Sequence, residues 1–539
     1  MANKIVKGTL ILSLAILISR LMGALFWVPF QNIAGDEIVG LYKASFPFYS
    51  FLLMIASAGV PLTVSKFVSE RISKNDHLNA RRVQTAASII LTITGLVIAA
   101  ILFFGAEFIA TTILEVPATK MSLQVLAITI IFVPSMAVIR GYFQGYQNMM
   151  PTGISQVIEQ FFRVITMIIL IYYLVKTGAS AEVASAGATS GALFGAIAGL
   201  LIVLGYQFRD KREWRKKVQE QPSTEPEPIG GLIKKILIFS LPITLGQLVF
   251  PLIQLMDSAT VPRILQWMGH SPSEAITLFG IYGRGEPFVN LIQSFSTAIS
   301  LTLVPAITAY ITKKEMDAVG RTISQAWKMT YIMSLPMSLM VTMLASPLNI
   351  MMYKDAKGAF PVAVLAFAAI FSTVATASTG ILQGMGHNQI PVRNMLIGGV
   401  VKVIGNFIYI PIIGIAGSAL SMVICYLVIC ILNMWAVLEK SQAKVKLFRL
   451  FFKPTLSGII MSIGLFFSYY VLEHFVFDAA QLTDRVLNTG ISIGLGILGA
   501  IIFFLALFLT KALDESEVRL MPMGGRLLPI LKRLRLVRG

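Results

Sequence analysis

The chain has 539 residues, 56% of them hydrophobic and 13% charged, with a mean hydropathy of +0.78. An average soluble domain carries about 25% charged residues, so a soluble fold is excluded and an integral membrane protein is indicated. The net charge of +18 invites a nucleic-acid partner, but its distribution along the chain answers to membrane topology instead.

A helix needs roughly 20 apolar residues to cross the hydrocarbon core, and fourteen runs of that size follow one another. They are Gly8 to Phe30, Phe46 to Val68, Ala86 to Phe108, Met121 to Phe143, Thr152 to Val175, Ala184 to Tyr206 and Ile236 to Val261. The second seven are Ile276 to Ile299, Met329 to Met351, Phe360 to Leu382, Val392 to Ile412, Gly414 to Leu438, Thr455 to Phe475 and Leu487 to Leu509. These runs are twice the length of a barrel strand, so only α-helices satisfy their backbone groups in lipid. The first run follows Lys4 and Lys7 like a signal peptide, but its length, the Arg20 in its middle and the lack of a small-residue cleavage site predict a retained helix.

Most of the 44 lysines and arginines fall in the N-terminus, the even-numbered connections and the C-terminal tail; seven fall in the odd-numbered connections. This asymmetry predicts both termini in the cytoplasm, and the even number of helices agrees. The excess charge is accounted for by topology and attraction to anionic lipid, with no nucleic-acid role.

Two polar segments punctuate the apolar runs. Residues 207–235 hold the basic cluster Arg209, Lys211, Arg212, Arg215, Lys216 and Lys217 followed by the proline-rich stretch Pro222 to Pro228, which predicts a cytoplasmic linker. The tail from Arg526 to Arg538 alternates leucine with basic residues, as a short helix anchored on anionic phospholipid would. Cys425 and Cys430, five residues apart, show no metal-ligand spacing and read as inert core residues.

The linker separates two sets of six helices that resemble each other. Gly141, Gln144, Gly145 and Pro151 align with Gly380, Gln383, Gly384 and Pro391 after one inserted residue, and Val60-Pro61 matches Val304-Pro305. Six is even, so the halves share an orientation, as in transporters whose two lobes rock about a central site. The expected organisation is an N-lobe at 1–206, the linker at 207–235, a C-lobe at 236–438, two extra helices at 439–511 and the basic tail at 512–539.

Four cations lie deep in the apolar runs. Arg20 is about 18 Å into the first helix. Arg163 and Lys402 occupy nearly the same repeat position, twelve residues beyond Pro151 and eleven beyond Pro391. Arg284 stands between Gly283 and Gly285, just before Pro287, a sequence that predicts a loosened or broken helix. A charge at the bilayer centre costs at least about 2.5 kcal/mol, so each needs a partner or a wet cavity. Glu159, Glu286 and Asp257 are the acids within reach, as ion-pair partners or coupling groups. Lys66 and Arg140, near cytoplasmic helix ends, are expected to snorkel to the headgroups. Cations outnumber acids, which favours an anionic substrate, and several arginines around one wet space suit a diphosphate.

Enzyme signatures are missing: there is no Walker loop, zinc-ligand pair or carboxylate dyad. A GxGxxG at Gly494, Gly496 and Gly499 lies inside an apolar run, where small residues serve close helix packing. No cofactor is expected; transport draws on the membrane potential, a monovalent cation gradient or a downstream sink.

The stretch LISRLMG around Arg20, SAGVPLTVSK from Ser57 to Lys66, RGYFQGYQNMMPT from Arg140 and the fourteen runs together resemble the bacterial polysaccharide-biosynthesis flippases of the multidrug/oligosaccharidyl-lipid/polysaccharide exporter superfamily. Within it the chain is most similar to the lipid II flippase (MurJ-type) and SpoVB-like branch. The resemblance implies a MATE-like fold in the bacterial plasma membrane and transfer of undecaprenyl-diphosphate-linked peptidoglycan precursor from the inner to the outer leaflet by alternating access. It also implies that Arg20 and Arg284 bind the diphosphate and that the last two helices form a groove for the lipid tail. Many Gram-negative relatives carry further cations late in helix one and in helix two, where this chain has Phe26 or Trp27 and Leu53 or Met54; Arg163 and Lys402 are the expected substitutes. Other readings are a flippase for another lipid-linked oligosaccharide, of capsule or spore-cortex type, a cation-coupled drug exporter working through Asp257, Glu159 or Glu286, and a non-transporting scaffold for cell-wall synthesis enzymes. The internal repeat makes a monomer sufficient.

Overall fold

A computed structural model describes residues 2–514 apart from 58, 222, 223, 314, 444, 479 and 480. The basic segment at Arg526 to Arg538 lies outside the described residues, as does the side chain of Arg20. The described chain is helical, without strands, and divides into two compact units, Met1–Gly280 and Ile281–Gly539. Among the described residues ten helices are long and apolar enough to cross a membrane, eleven if one bent pair is counted as a single span. Large apolar side chains such as Leu25, Phe104, Leu201 and Ile412 are exposed, a surface suited to hydrocarbon rather than water.

The first unit contains α1 (Ala2–Ser57), α2 (Val60–Ile72), α3 (His77–Phe108), α4 (Lys120–Gly145), α5 (Met150–Lys176), α6 (Ala181–Glu220), α7 (Ile229–Trp267) and most of α8 (Pro272–Gly283). The first two predicted spans are thus cut differently in the structure. The helix of α1 is interrupted at Gly35 (φ 75°, ψ 171°), and the second crossing is broken again before α2 at Gly59 (φ 77°). Both angles lie where a Cβ is rarely tolerated. At Gly59 a Cβ would also stand 2.5 Å from the Ser240 carbonyl oxygen of α7.

The expected linker is shorter than its composition suggests. Its basic cluster continues α6 to Glu220, and α7 begins at Ile229, which leaves 221 and 224–228 outside regular helix. That connection is fastened to the turn between α2 and α3. The Glu227 carboxylate accepts from Arg71 Nε (2.7 Å) and Nη2 (2.8 Å), the Glu225 carbonyl accepts from Asn79 Nδ2, and Gln221 Oε1 accepts from the backbone N–H groups of His77 and Leu78. The proline run removes backbone donors while the flanking acids and amides supply side-chain bonds. Helix α7 packs with α1, α2 and α3 and belongs to the first unit, and the chain passes from one unit to the next between Gly280 and Ile281.

The second unit contains α9 (Glu286–Thr312), α10 (Met316–Met343), α11 (Ala345–Tyr353), α12 (Ala359–Gly384), α13 (Gln389–Ile413), α14 (Ile415–Ser441), α15 (Leu447–Val471) and α16 (Arg485–Leu509). The ninth predicted span is two helices, α10 and α11, bent by 79°. Helices α15 and α16 pack on each other and on α10 through a core that includes Leu335, Met461, Leu465, Leu495 and Phe503. In the GxGxxG of α16, Gly499 faces Leu465 and serves packing, whereas Gly494 and Gly496 meet open space. Cys425 and Cys430 are buried in α14, in an apolar core with Trp327 and Ile381.

The internal repeat has a packing cause. In the first unit a Cβ on Gly141 would meet the Pro61 carbonyl oxygen at 2.6 Å and one on Gly145 the Val68 side chain at 2.6 Å, so α4 lies against the backbone of α2. In the second unit Gly380 faces Ser300, and a Cβ on Gly384 would lie 2.9 Å from the Val304 carbonyl oxygen, so α12 lies against α9 in the same way. Glycines four residues apart share one helix face and let the backbones touch.

Candidate functional site

The deep cations fall into three settings. In the second unit, α8 stops at Gly283 and α9 starts at Glu286, with Pro287 in its first turn. Arg284 sits in the break. Its backbone N–H makes a tight bond to the Ile281 carbonyl (3.1 Å), and Glu286 places a carboxylate at the N-terminus of α9, where the helix dipole favours it. The Arg284 residue is 3% exposed. Its Nη1 donates to Asp355 Oδ1 (2.5 Å) and to the Lys357 carbonyl (3.1 Å), and its Nη2 donates to Asp355 Oδ2 (3.4 Å). The Tyr353 hydroxyl donates to the Arg284 carbonyl (2.9 Å), and the Tyr353 ring lies 5.1 Å from the guanidinium carbon.

The partner loop is shaped by its own backbone. Lys354 (φ 70°) ends α11 and Gly358 (φ 79°) precedes α12, which folds residues 354–358 back over the break. The Lys357 N–H donates to Asp355 Oδ1, and Asn349 Nδ2 donates to the Lys357 carbonyl. Burial alone would raise the Asp355 carboxyl, but the Arg284 hydrogen bond and charge, with the Lys357 N–H, hold it below the ordinary carboxylate value. The bidentate carboxylate is the contact a phosphate group would also make.

In the first unit Glu159 of α5 accepts from two arginines at once, Arg140 Nη2 of α4 and Arg163 Nη2 of its own helix, both at 2.9 Å. Arg140 Nε also donates to Ser155 Oγ (2.8 Å). Arg140 is therefore clamped inside the unit and does not snorkel to the headgroups as expected. The cluster fits because α6 presents Gly195 and Gly199 to it: a Cβ on Gly195 would lie 2.6 Å from the Glu159 carbonyl oxygen. Two guanidiniums against one carboxylate leave one net positive charge, and Arg163 Nε is buried without a hydrogen bond. Tyr42 and Tyr49 of α1 lie within electrostatic reach of Arg163.

Lys402 of α13 is 0% exposed. Its ammonium donates to Asn406 Oδ1 (3.0 Å), the Ser418 carbonyl (2.8 Å) and Ser418 Oγ (3.0 Å), the last two on α14. Three N–H donors meet three acceptors, an arrangement that fastens two helices and leaves no proton for a substrate. Asp257 is buried in α7 of the first unit, next to Ser258, whose hydroxyl donates to the Lys43 carbonyl. The structure thus joins Arg163 with Glu159 in the first unit and encloses Lys402 in the second.

Asp355 and Arg140 were not among the expected site residues. Asp355 stands in a polar connection that no apolar-run argument reaches. Arg140 carried a usable signal: it stands five residues before the end of α4 and Glu159 nine after the start of α5, an offset of about 6 Å along an antiparallel hairpin that two long side chains can span. Among the described residues no group of three His, Cys, Asp or Glu side chains is placed to hold a metal.

Comparison with known proteins fits this architecture. Residues 5–311, more than half of the chain, match the family of polysaccharide biosynthesis proteins, and residues 242–408 match the MatE family. The membrane protein YabM of Bacillus subtilis (strain 168) is 29% identical over 98% of this chain and 96% of its own. The lipid II flippase MurJ of the same organism is 27% identical over 79% of this chain and 81% of its own. A solved structure of the lipid II flippase MurJ in an inward closed conformation superposes with a TM-score of 0.61 at 15% identity, covering 92% of this chain and 99% of that one; at that identity the likeness shows the fold. The chain is a multi-pass membrane protein that belongs to the polysaccharide biosynthesis protein family.

Proposed function

We propose that this protein is a flippase that carries undecaprenyl-diphosphate-linked peptidoglycan precursor, lipid II, from the inner to the outer leaflet by alternating access. The observation that carries the reading is Arg284, a desolvated guanidinium held at a helix break by a bidentate anion contact. Broken helices are favoured places for charged substrate groups in transporters, and a site built around an arginine is suited to phosphate rather than to a cationic drug. Arg163, with one net positive charge around it, and Arg20 in the first helix are the further diphosphate-binding cations. Lys402 is assigned to holding α13 against α14. The fold runs through fourteen spans with both termini in the cytoplasm, and α15 and α16 carry the prenyl chain on their exposed apolar faces.

The test is the outer-leaflet exposure of newly made lipid II in cells depleted of this protein and of other flippases. Exposure is expected to fall, to return with the wild-type chain, and not to return with Arg284→Ala or Arg20→Ala. Unchanged exposure in the depleted cells would overturn the lipid II reading and point to another lipid-linked glycan.

A further inference from the structure

We propose that Asp355 is the resident counter-ion of Arg284: it neutralises the guanidinium while the site is empty, yields it to the diphosphate of the substrate, and retakes it on release. This rests on the reading of Arg284 as a diphosphate-binding residue and says what competes for it.

The pair is asymmetric. The Arg284 side chain is 4% exposed and the Asp355 side chain 39%, so the acid covers the base from the solvent side. Arg284 belongs to the helix break and is tied through its carbonyl to Tyr353, whereas Asp355 belongs to a five-residue connection bounded by the left-handed Lys354 and by Gly358. The Asp355 side chain can swing out towards solvent while the connection stays anchored through the Lys357 carbonyl. Breaking a buried ion pair is costly, so arrival of another anion favours departure of the carboxylate. A carboxylate and a phosphate use the same pair of N–H donors, so they exchange on one face without rearranging the arginine. The Lys357 carbonyl, also bonded by Asn349, keeps one Arg284 donor occupied during the exchange.

An internal competitor weakens binding and speeds release, and its removal does the opposite. With full-length protein in nanodiscs and undecaprenyl diphosphate as the probe, Asp355→Asn is expected to tighten binding about tenfold and to slow dissociation. Asp355→Glu should keep wild-type values, and Arg284→Ala should weaken binding in both backgrounds. A merely structural ion pair predicts the reverse for Asp355→Asn, namely equal or weaker binding, and that result would overturn the proposal. If Arg284→Ala leaves binding unchanged, the diphosphate reading itself falls, which separates the two failures. Should Asp355→Asn fail to fold, a bimane label on Ala356→Cys, with Asp355 intact, gives the second measurement. Undecaprenyl diphosphate is expected to shift its emission, and an unmoved spectrum at saturating probe would overturn the exchange.

Discussion

At the residue scale, the arginines are easier to read than their partners. A cation inside an apolar run is visible locally, because nothing around it in sequence can neutralise it. Its counter-ion is a tertiary fact: Asp355 lies 71 residues beyond Arg284 in a connection whose polarity makes an acid unremarkable. The enclosure of Lys402 was equally hidden, since Asn406 and Ser418 are ordinary residues until α13 and α14 close on one another. Glu159 is where the energetics are sharpest. With side chains 14% to 25% exposed in this triad, Glu159→Gln leaves two guanidiniums facing one neutral amide, and breaking such a pair costs about 3 kcal/mol. Thermal unfolding of the purified protein should show a clearly lowered midpoint for Glu159→Gln and a smaller fall for Arg163→Ala, which leaves Arg140 and Glu159 paired. Equal midpoints would remove the triad as a structural centre. Asp355 adds a pH signature, with Arg284, Lys357 and Tyr353 as the charged and titratable groups around it. Its folded value is depressed, so its contribution to stability is present above the ordinary carboxylate value and is lost as pH falls through the depressed one. The gap in unfolding midpoint between wild type and Asp355→Asn is therefore expected at pH 7 and should close in strong acid; a gap that persists there would assign it to something other than this carboxylate.

At the element scale, periodicity and length located most spans, while their interruptions had to be seen in three dimensions. The break at Arg284 was legible because glycine on both sides and a following proline weaken a helix in any context. The interruption at Gly35 falls in the connection expected between the first two runs, whereas the bend between α10 and α11 was not legible, since no glycine marks it and Pro347 stands in a run that also accommodates Pro336 inside a helix. The linker region is more helical than its composition suggests: a basic, hydrophilic sequence reads as irregular, yet Arg209 to Lys217 lacks helix breakers and simply extends α6 beyond the apolar segment. The repeated glycines, by contrast, carried real information, and the structure gives them one purpose in both units. Gly141→Ala and Gly384→Ala place a Cβ within 3 Å of a backbone oxygen, and overpacking of this kind costs about 1 to 3 kcal/mol. Each should lower the unfolding midpoint, whereas Gly494→Ala and Gly496→Ala, with nothing near them, should leave it unchanged or raise it through better helix propensity. If all four behaved alike, the repeat would owe its resemblance to something other than backbone contact.

At the scale of the whole molecule, side-to-side bookkeeping supports the proposed topology. Contacts between distant connections join connections of like parity. The second and sixth are bound through Arg71 and Glu227, and the third and seventh through Glu115 and Arg263. The ninth and thirteenth are bound through the Met351 carbonyl and Arg485, and the twelfth meets the chain beyond α16 through Lys453 and the Lys511 carbonyl. An even number of crossings separates connections of like parity, as the proposed fourteen spans require, and on that proposal the positive-charge bias places the even side in the cytoplasm. Charge compensation within each unit carries this into energetics. Arg140, Arg163 and Glu159 together leave one positive charge, and on the proposed flippase reading that charge belongs to the empty carrier when it resets. One full charge across 100 mV is worth about 2.3 kcal/mol, and a negative interior draws that charge inward, towards the inward-facing form. In proteoliposomes with an imposed potassium diffusion potential, interior-negative polarity relative to the cytoplasmic face should speed repeated turnover of lipid II and leave a single loaded transfer unassisted. The gain is bounded at about fiftyfold per 100 mV for one charge crossing the whole field, and Arg163→Ala should flatten the voltage dependence by removing that net charge. A turnover rate indifferent to the potential in the wild type would mean that reset carries no net charge, and would turn the search for a driving force to an ion gradient or to consumption of the product outside.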